Sequence, residues 1–323
     1  MSGYRGRFAP SPTGELHLGS AATALVTWLA ARKAGGRLVL RVEDIDGPRV
    51  VAGAEERQLE DLRWLGLDWD EGPDRGGANG PYRQSERRAL YDAALRSLSE
   101  RGLVYACDCS RAEVQRIASA PHAGEEGPRY PGLCREKGLA ARTWRRPPAL
   151  RLAVPEKTVR FVDRFQGPQS QNVFETVGDF VLRRGDGVHS YQLAVVVDDL
   201  AMGVTEVVRG ADLVDSTPRQ ILLAELLGGE APAFAHAPLV LAADGSRLAK
   251  RARGVSLRDH RHAGRPAAIL VAELARRLGL LDAVERADGC TPHELLELDR
   301  LDRLRGRSAV RLSPDAMESA APG

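Results

Sequence analysis

The chain of 323 residues carries 46 Lys and Arg against 44 Asp and Glu, a formal net charge of +2. That balance does not argue for a generic polyanion binder and leaves room for a local basic face. The length suffices for one large core or two modest ones. No run approaches the roughly 18 apolar residues of a membrane span, Met1–Arg5 lacks the apolar stretch of a signal peptide, and four cysteines do not make a disulfide framework in a chain this long. The expectation is a reduced, cytoplasmic protein with no membrane association.

The first organised stretch is Arg7-Phe8-Ala9-Pro10-Ser11-Pro12-Thr13-Gly14-Glu15-Leu16-His17-Leu18-Gly19-Ser20, which joins a short strand, Gly6 to Ala9, to an Ala-rich helix, Ala21 to Ala34. Pro10 and Pro12 keep the backbone extended, Gly14 and Gly19 permit close approach, and Ser20 is the expected helix cap. A helix N-terminus attracts anions, and His17 precedes it. The loop is therefore either a phosphate site or an ordinary strand-to-helix connection. Leu38 to Val42 follows as a second strand, and the crossover length predicts a parallel sheet with the loop at its carboxyl edge. Neither a G-x-G-x-x-G motif nor a Walker lysine is present. Glu43-Asp44-Ile45-Asp46 falls at the same edge, either to recognise an ammonium or ribose or as a solvated turn before Pro48.

Helices are predicted over Glu55 to Leu65 and Ser85 to Arg101, the latter with Leu90, Ala94, Leu95 and Leu98 inward; residues 71–82 between them are a Gly/Pro-rich loop. Ser110 and Glu113 form a capping box for a short helix. Cys107, Cys109 and Cys134 supply three soft ligands. Structural zinc wants four, and Tyr130, His122 and Asp108 are the nearby candidates, Asp108 being sterically poor between two ligands; three free buried thiols are the alternative. Cys290 reads as a core or surface thiol. Ala149 to Val154 and Thr158 to Arg164 read as antiparallel strands around Pro155, and Asp179 to Gly187 as a hairpin.

The second half begins near Tyr191 and continues through Val204–Gly210. Ser216 or Thr217, with Pro218 after it, opens a helix running to Leu227. Ala237 to Leu241 is a strand leading to the basic loop Arg247-Leu248-Ala249-Lys250-Arg251, whose cations either clamp a triphosphate or form a solvated turn. Ala267 to Leu280 is an amphipathic helix, Pro292 to Leu298 a short one, and His260-Arg261-His262 a polar surface turn. The predicted fold is α/β, with a Rossmann-type parallel-sheet core in two parts, 1–106 and 178–255, split by an insertion at 107–177, then a helical region at 256–312 and a loose tail at 313–323.

P-S-P-T-G-x-L-H-L-G and R-L-A-K-R resemble the HIGH and KMSKS signatures of class I aminoacyl-tRNA synthetases, and R-F-A-P-S-P-T-G resembles the glutamyl and glutaminyl branch. E-D-I-D, Y-Q-L-A-V-V-V-D-D, V-V-R-G-A-D and S-T-P-R-Q fall in the family's order, so that the resemblance covers roughly residues 4 to 260. The chain is shorter than glutamyl-tRNA synthetases with their anticodon-binding region. With C-x-C…Y-x-x-x-C it resembles the glutamyl-queuosine branch, which activates glutamate and esterifies it to queuosine in the anticodon of tRNA(Asp). A minimal discriminating glutamyl-tRNA synthetase acting on an acceptor stem, and a non-catalytic tRNA-binding paralogue, are the competing readings.

The resemblance implies that Arg7, Phe8, Ala9, Pro10, Ser11, Glu43, Tyr191 and Arg209 hold L-glutamate, with Arg7 on a carboxylate and Glu43 on the ammonium. It implies that His17, Gly19, Ser20, Arg247 and Lys250 bind ATP with Mg2+, His17 and Lys250 being catalytic. Zinc falls to Cys107, Cys109, Tyr130 and Cys134, which selects Tyr130 over His122. Arg247 and Ala249 depart from the family's more frequent Lys and Ser, keeping the charge and losing a hydroxyl. The expected partners are L-glutamate, ATP and queuosine-bearing tRNA(Asp), and the expected state is a monomer.

Overall fold

The structure, a computed structural model, describes residues 3–117, 129–135, 143–241 and 256–311. In chain order the elements are β1 (Arg5–Phe8), α1 (Leu18–Lys33), β2 (Arg37–Leu40), α2 (Ala54–Trp64), α3 (Arg88–Glu100), β3 (Val104–Cys107), α4 (Arg111–Ile117), β4 (Ala149–Leu152), β5 (Thr158–Asp163) and β6 (Gly167–Asn172). They continue with α5 (Val173–Thr176), β7 (Val181–Arg183), α6 (Tyr191–Ala201), β8 (Glu206–Gly210), α7 (Thr217–Leu226), β9 (Ala233–Ala237), β10 (Leu239–Leu241), α8 (Leu257–His262), α9 (Ala267–Leu278), α10 (Pro292–Leu298) and β11 (Ala309–Arg311).

The α/β expectation holds, with parallel pairing at its centre. β1 and β2 run parallel in the register Arg5↔Arg37 to Phe8↔Leu40. β8 and β9 run parallel from Glu206↔Ala233 to Gly210↔Ala237. The Thr205 N–H donates to the Arg5 carbonyl at 2.8 Å, so the chain entering β8 lies beside β1. The loops that follow β1 and β8 thus leave the same carboxyl edge. Behind them α1 is buried over ten of its sixteen residues. A helix apolar on every side belongs at a core's centre, and its alanines let β-strands and α9 pack closely around Trp28, Leu25 and Leu29.

Several local expectations change. Helix α1 starts at Leu18 with His17 as N-cap, not Ser20, and no side chain caps it. The cause is backbone pairing: Leu257 N–H donates to the Leu16 carbonyl at 2.9 Å, and His17 bridges Ser256, which keeps His17 extended. In α3, Leu90 is exposed and Tyr91 is buried in its place, with Leu95 and Leu98 inward as expected. The strands flanking Pro155 do not pair with each other. β4 pairs with β3 and β7, and β5 with β6 and β9. The hairpin turn lies after β5, where Asp163 Oδ1 accepts the Phe165 and Gln166 N–H groups and Gly167 turns at φ +74°.

The predicted strand Ala237 to Leu241 divides at Pro238, which has no N–H for a ladder; β9 pairs with β8, and β10 with β11. His260-Arg261-His262 ends helix α8 rather than forming a surface turn, and His260 is buried. Ser216 precedes α7 as expected but caps with its backbone alone. The capping box of Ser110 and Glu113 forms, Cys290 is a core thiol, and the Asp179–Gly187 hairpin closes through Arg184 and Val188. His122, Arg247, Ala249, Lys250 and the tail 313–323 lie outside the described residues.

Candidate active site

The loop between β1 and α1 is tied down from two sides. Glu43 N–H donates to the Pro10 carbonyl at 3.0 Å and Val51 N–H to that of Pro12 at 2.9 Å. From α2, Gln58 Nε2 donates to the carbonyls of Ser11 and Gly14 at 3.1 and 2.7 Å. At its end, the N–H groups of Leu18, Gly19 and Ser20 precede the first intrahelical bond, Ala21 N–H to His17 O at 3.0 Å. No acidic residue sits in that first turn, and a side chain at Gly19 would meet nothing within 4 Å. The helix start is therefore an open, uncompensated positive end of the kind that holds phosphate. Ser20 is exposed beside it.

Next to the loop lies a buried charge array that pattern reading did not find. Arg41, fully buried, donates to Asp199 Oδ1 at 2.7 Å and Glu43 Oε1 at 3.2 Å, and stands 3.6 Å from Asp198. Arg7, also buried, donates to the same Asp199 oxygen at 3.3 Å and to the Val208 carbonyl at 3.3 Å. Burial alone would raise the Asp199 carboxyl, but Arg7 and Arg41 hold it below its usual value. Burial raises Glu43, and Arg41 and Arg7 only partly offset it. Asp198 is anchored in turn by Gln84, Arg87 and Tyr91.

Arg209 on β8 closes the array. Its Nη1 reaches Tyr191 Oη at 3.4 Å and Gln220 Oε1 at 2.7 Å, its Nη2 reaches Thr217 Oγ1 at 2.8 Å and the Leu213 carbonyl at 3.2 Å, and its Nε reaches His236 Nε2 at 3.0 Å. Among the described residues no carboxylate lies within ion-pair distance of this buried guanidinium, and burial pushes it below its usual value, with Tyr191, Arg7, Asp199 and Glu43 acting on it across space. A buried cation surrounded by neutral acceptors favours an anionic ligand. Arg7, Glu43, Tyr191 and Arg209 are thus brought together, with Phe8, Ala9 and Pro10 half-buried along the loop and Ser11 exposed at its turn.

The second cluster is Cys107, Cys109 and Cys134, whose sulfurs all lie within 4.8 Å of one another. Tyr130 Oη is 3.2 Å from Cys107 Sγ and 3.5 Å from Cys109 Sγ, and Cys109 Sγ is 3.5 Å from Cys134 Sγ. Tetrahedral ligands at zinc distances stand roughly 3.5–3.8 Å apart, so these four atoms fit around one ion. Tyr130 Oη accepts the Cys134 N–H at 3.1 Å, and the Arg151 guanidinium lies 3.8 Å from the Tyr130 ring centre. Asp108 lies beside the cluster: its Oδ1 accepts from Cys134 Sγ at 3.8 Å, while its Oδ2 accepts the Arg145 backbone N–H and guanidinium. Burial pushes the Cys109 thiol up to about 11, with the neighbouring thiols adding to it; a bound cation reverses that preference.

The family described as tRNA synthetases class I (E and Q), catalytic domain, matches residues 4–304. The chain belongs to this family. Among its relatives, the glutamyl-Q tRNA(Asp) synthetase of Symbiobacterium thermophilum is 51% identical over 323 residues, spanning 98% of both chains. The glutamate–tRNA ligase 2 of Acidithiobacillus ferrooxidans is 46% identical, over 88% of this chain but 61% of that one. Among solved structures, a glutamate tRNA ligase from Elizabethkingia meningosepticum in complex with its amino acid superposes with a TM-score of 0.79 at 28% identity, covering 99% of this chain and 69% of that one. As a class I synthetase the chain is an ATP-dependent ligase. No described helix is long and apolar enough to cross a membrane.

Arg41, Asp198, Asp199 and His236 are the residues of this buried array to which sequence reasoning gave no role. The one signal was Asp198-Asp199 directly after Val195-Val196-Val197, an acidic pair on an apolar run.

Proposed function

We propose that the chain activates L-glutamate with ATP to glutamyl-adenylate and transfers the glutamyl group to queuosine in the anticodon of tRNA(Asp). Arg209, with Tyr191 beside its Nη1, takes one carboxylate. Arg7, Phe8, Ala9, Pro10 and Ser11 line the loop face, and Glu43 takes the ammonium. The α-carboxylate, already ionised at neutral pH, attacks the α-phosphorus in line and pyrophosphate leaves, so positioning and charge neutralisation suffice without a general base. His17, Gly19 and Ser20 at the start of α1, with Arg247 and Lys250 from the basic loop, hold the ATP phosphates, and Mg2+ accompanies them. Zinc on Cys107, Cys109, Tyr130 and Cys134 is a structural ion that fixes the fold of the cysteine region. The proposed insertion 107–177, between core segments 1–106 and 178–255, supplies those ligands and also lends β5 and β6 to the core sheet. We place the protein in the cytoplasm as a monomer.

The observation that carries the amino-acid half is the buried Arg209, which has no carboxylate in ion-pair distance among the described residues, near Glu43 and Arg7. The product half rests on the end-to-end match to the Symbiobacterium relative. Labelled glutamate and ATP supplied with tRNA(Asp), with and without queuosine, test it. Label should enter only the queuosine-bearing tRNA, and ATP–pyrophosphate exchange should proceed without any tRNA. Equal labelling of both tRNAs would refute the queuosine assignment and favour a minimal glutamyl-tRNA synthetase.

A further inference from the structure

Arg209 is held by a chain of groups that lie behind the pocket. His236 Nε2 faces Arg209 Nε at 3.0 Å, and Nδ1 of the same ring lies 2.5 Å from Asp163 Oδ2. The three side chains are buried on β8, β9 and the end of β5, adjacent and mutually parallel strands of one mixed sheet. The hydrogens follow from what each group can do. A guanidinium Nε only donates, so His236 Nε2 is an acceptor. The ring hydrogen is then on Nδ1 and is donated to Asp163. Asp163 divides its two oxygens. Oδ1 accepts the N–H groups of Phe165, Gln166 and His236 at 2.9, 2.8 and 3.1 Å, which shapes the β5–β6 turn. Oδ2 faces the imidazole.

We infer that Asp163 and His236 are positioning residues for Arg209, with Asp163 fixing the imidazole tautomer that presents an acceptor to the guanidinium. The inference rests on the reading of Arg209 as the carboxylate-binding cation. It also accounts for the lack of an ion pair to Arg209 among the described residues. A carboxylate in direct contact with Arg209 would compete with the substrate for it. One imidazole removed, Asp163 orients the fork and leaves its charge available to the ligand.

Asp163→Asn separates the two jobs of the carboxyl group. The amide oxygen keeps the three backbone N–H bonds, while its NH2 donates to His236 Nδ1. The ring hydrogen must then move to Nε2, against Arg209 Nε–H, an inversion of the kind an Asp-to-Asn change imposes on a buried histidine. In ATP–pyrophosphate exchange the KM for glutamate should rise roughly ten-fold or more, the scale of one charge-assisted hydrogen bond, with the KM for ATP within about two-fold. Two-bond 15N–1H spectra of His236 should switch from the Nδ1–H to the Nε2–H form. If Asp163→Asn does not fold, His236→Ala and His236→Gln serve instead. The alanine variant should raise the KM for glutamate selectively, and glutamine, which restores an acceptor, should recover part of it. An unchanged KM for glutamate, or an equal rise in both KM values, overturns the inference while leaving the glutamate reading intact. Absence of glutamate-dependent exchange in the unmodified protein removes that reading itself, and the inference with it.

Discussion

Arg7 donates to Asp199 Oδ1 at 3.3 Å inside the protein, on the same oxygen that Arg41 reaches at 2.7 Å. One carboxylate therefore presets an arginine of the amino-acid pocket and neutralises another that has no route to solvent. Removing one partner of a buried ion pair costs about 3–5 kcal/mol. Asp199→Asn keeps the shape and loses the charge, so its unfolding free energy should fall by about that amount, read as a lower urea midpoint at unchanged slope, with weaker glutamate binding. The carboxyl lies below its unfolded value, so its stabilisation is present above about pH 4 and is lost only as pH falls through the folded value. The loss caused by Asp199→Asn should accordingly be full at neutral pH and shrink in acid. A midpoint that does not move would mean that Arg7 and Arg41 are held by other contacts.

Glu43 shifts the other way. Burial raises its carboxyl, and Arg41 and Arg7 do not fully cancel the rise. An ammonium ligand needs the ionised form. As pH falls, Glu43 takes up its proton at a higher pH than an ordinary glutamate would. The KM for glutamate should therefore climb on the acid limb before the usual carboxylate range is reached. Glu43→Gln should have a high KM throughout and lack that limb. A parallel limb in both proteins would assign the titration to another group.

The parts of this site legible in the sequence are those built from neighbours in the chain. Pro10, Pro12 and Gly14 announce a strand-to-helix loop because each constrains its own backbone. Cys107, Cys109 and Cys134 announce a candidate metal site because their spacing is short, whereas Tyr130 as a fourth ligand came from the family resemblance and not from spacing. Local chemistry misled where the fold supplied a stronger bond. Ser20 is a better cap than His17 in isolation, yet the pairing of Leu16 with Leu257 sets the helix start. The Arg7–Asp199 pair spans 192 positions. Nothing in a local window shows that the Val195-Val196-Val197 run, β-branched and strand-like by propensity, is helix α6 carrying two acids into a cluster of arginines. His236 reads as a single histidine in a strand until Asp163 and Arg209 are seen on either side of it.

Lys250 carries the transition-state charge in the proposed chemistry. Pentavalent phosphorus gathers negative charge that the ground state lacks, so a cation aimed there acts on rate more than on binding. Lys250→Ala should lower glutamate-dependent ATP–pyrophosphate exchange by roughly 10²–10³-fold, with the KM for glutamate and the melting temperature little changed. Wild-type exchange in this variant would remove the lysine from the mechanism.

The cysteine cluster makes a graded set of predictions because its four ligands differ. Cys109 sits at the centre of the contacts, 3.5 Å from both Tyr130 Oη and Cys134 Sγ. Cys109→Ala should lose the bound zinc, read by elemental analysis of the purified protein. Tyr130→Phe keeps the ring under Arg151 and removes only the oxygen, so zinc should remain at high supply and leave at a lower chelator concentration than from the unmodified protein. Asp108→Asn, in the same C-x-C stretch, keeps an oxygen that can accept from Cys134 Sγ or Arg145, and should keep its zinc. Stripping the ion should lower the melting temperature in proportion to the binding it removes, and exchange activity should fall only where the cysteine region unfolds. Full zinc content in Cys109→Ala would remove Cys109 from the ligand set, and loss of zinc from Asp108→Asn with Tyr130→Phe unaffected would put Asp108 in place of Tyr130 as the fourth ligand.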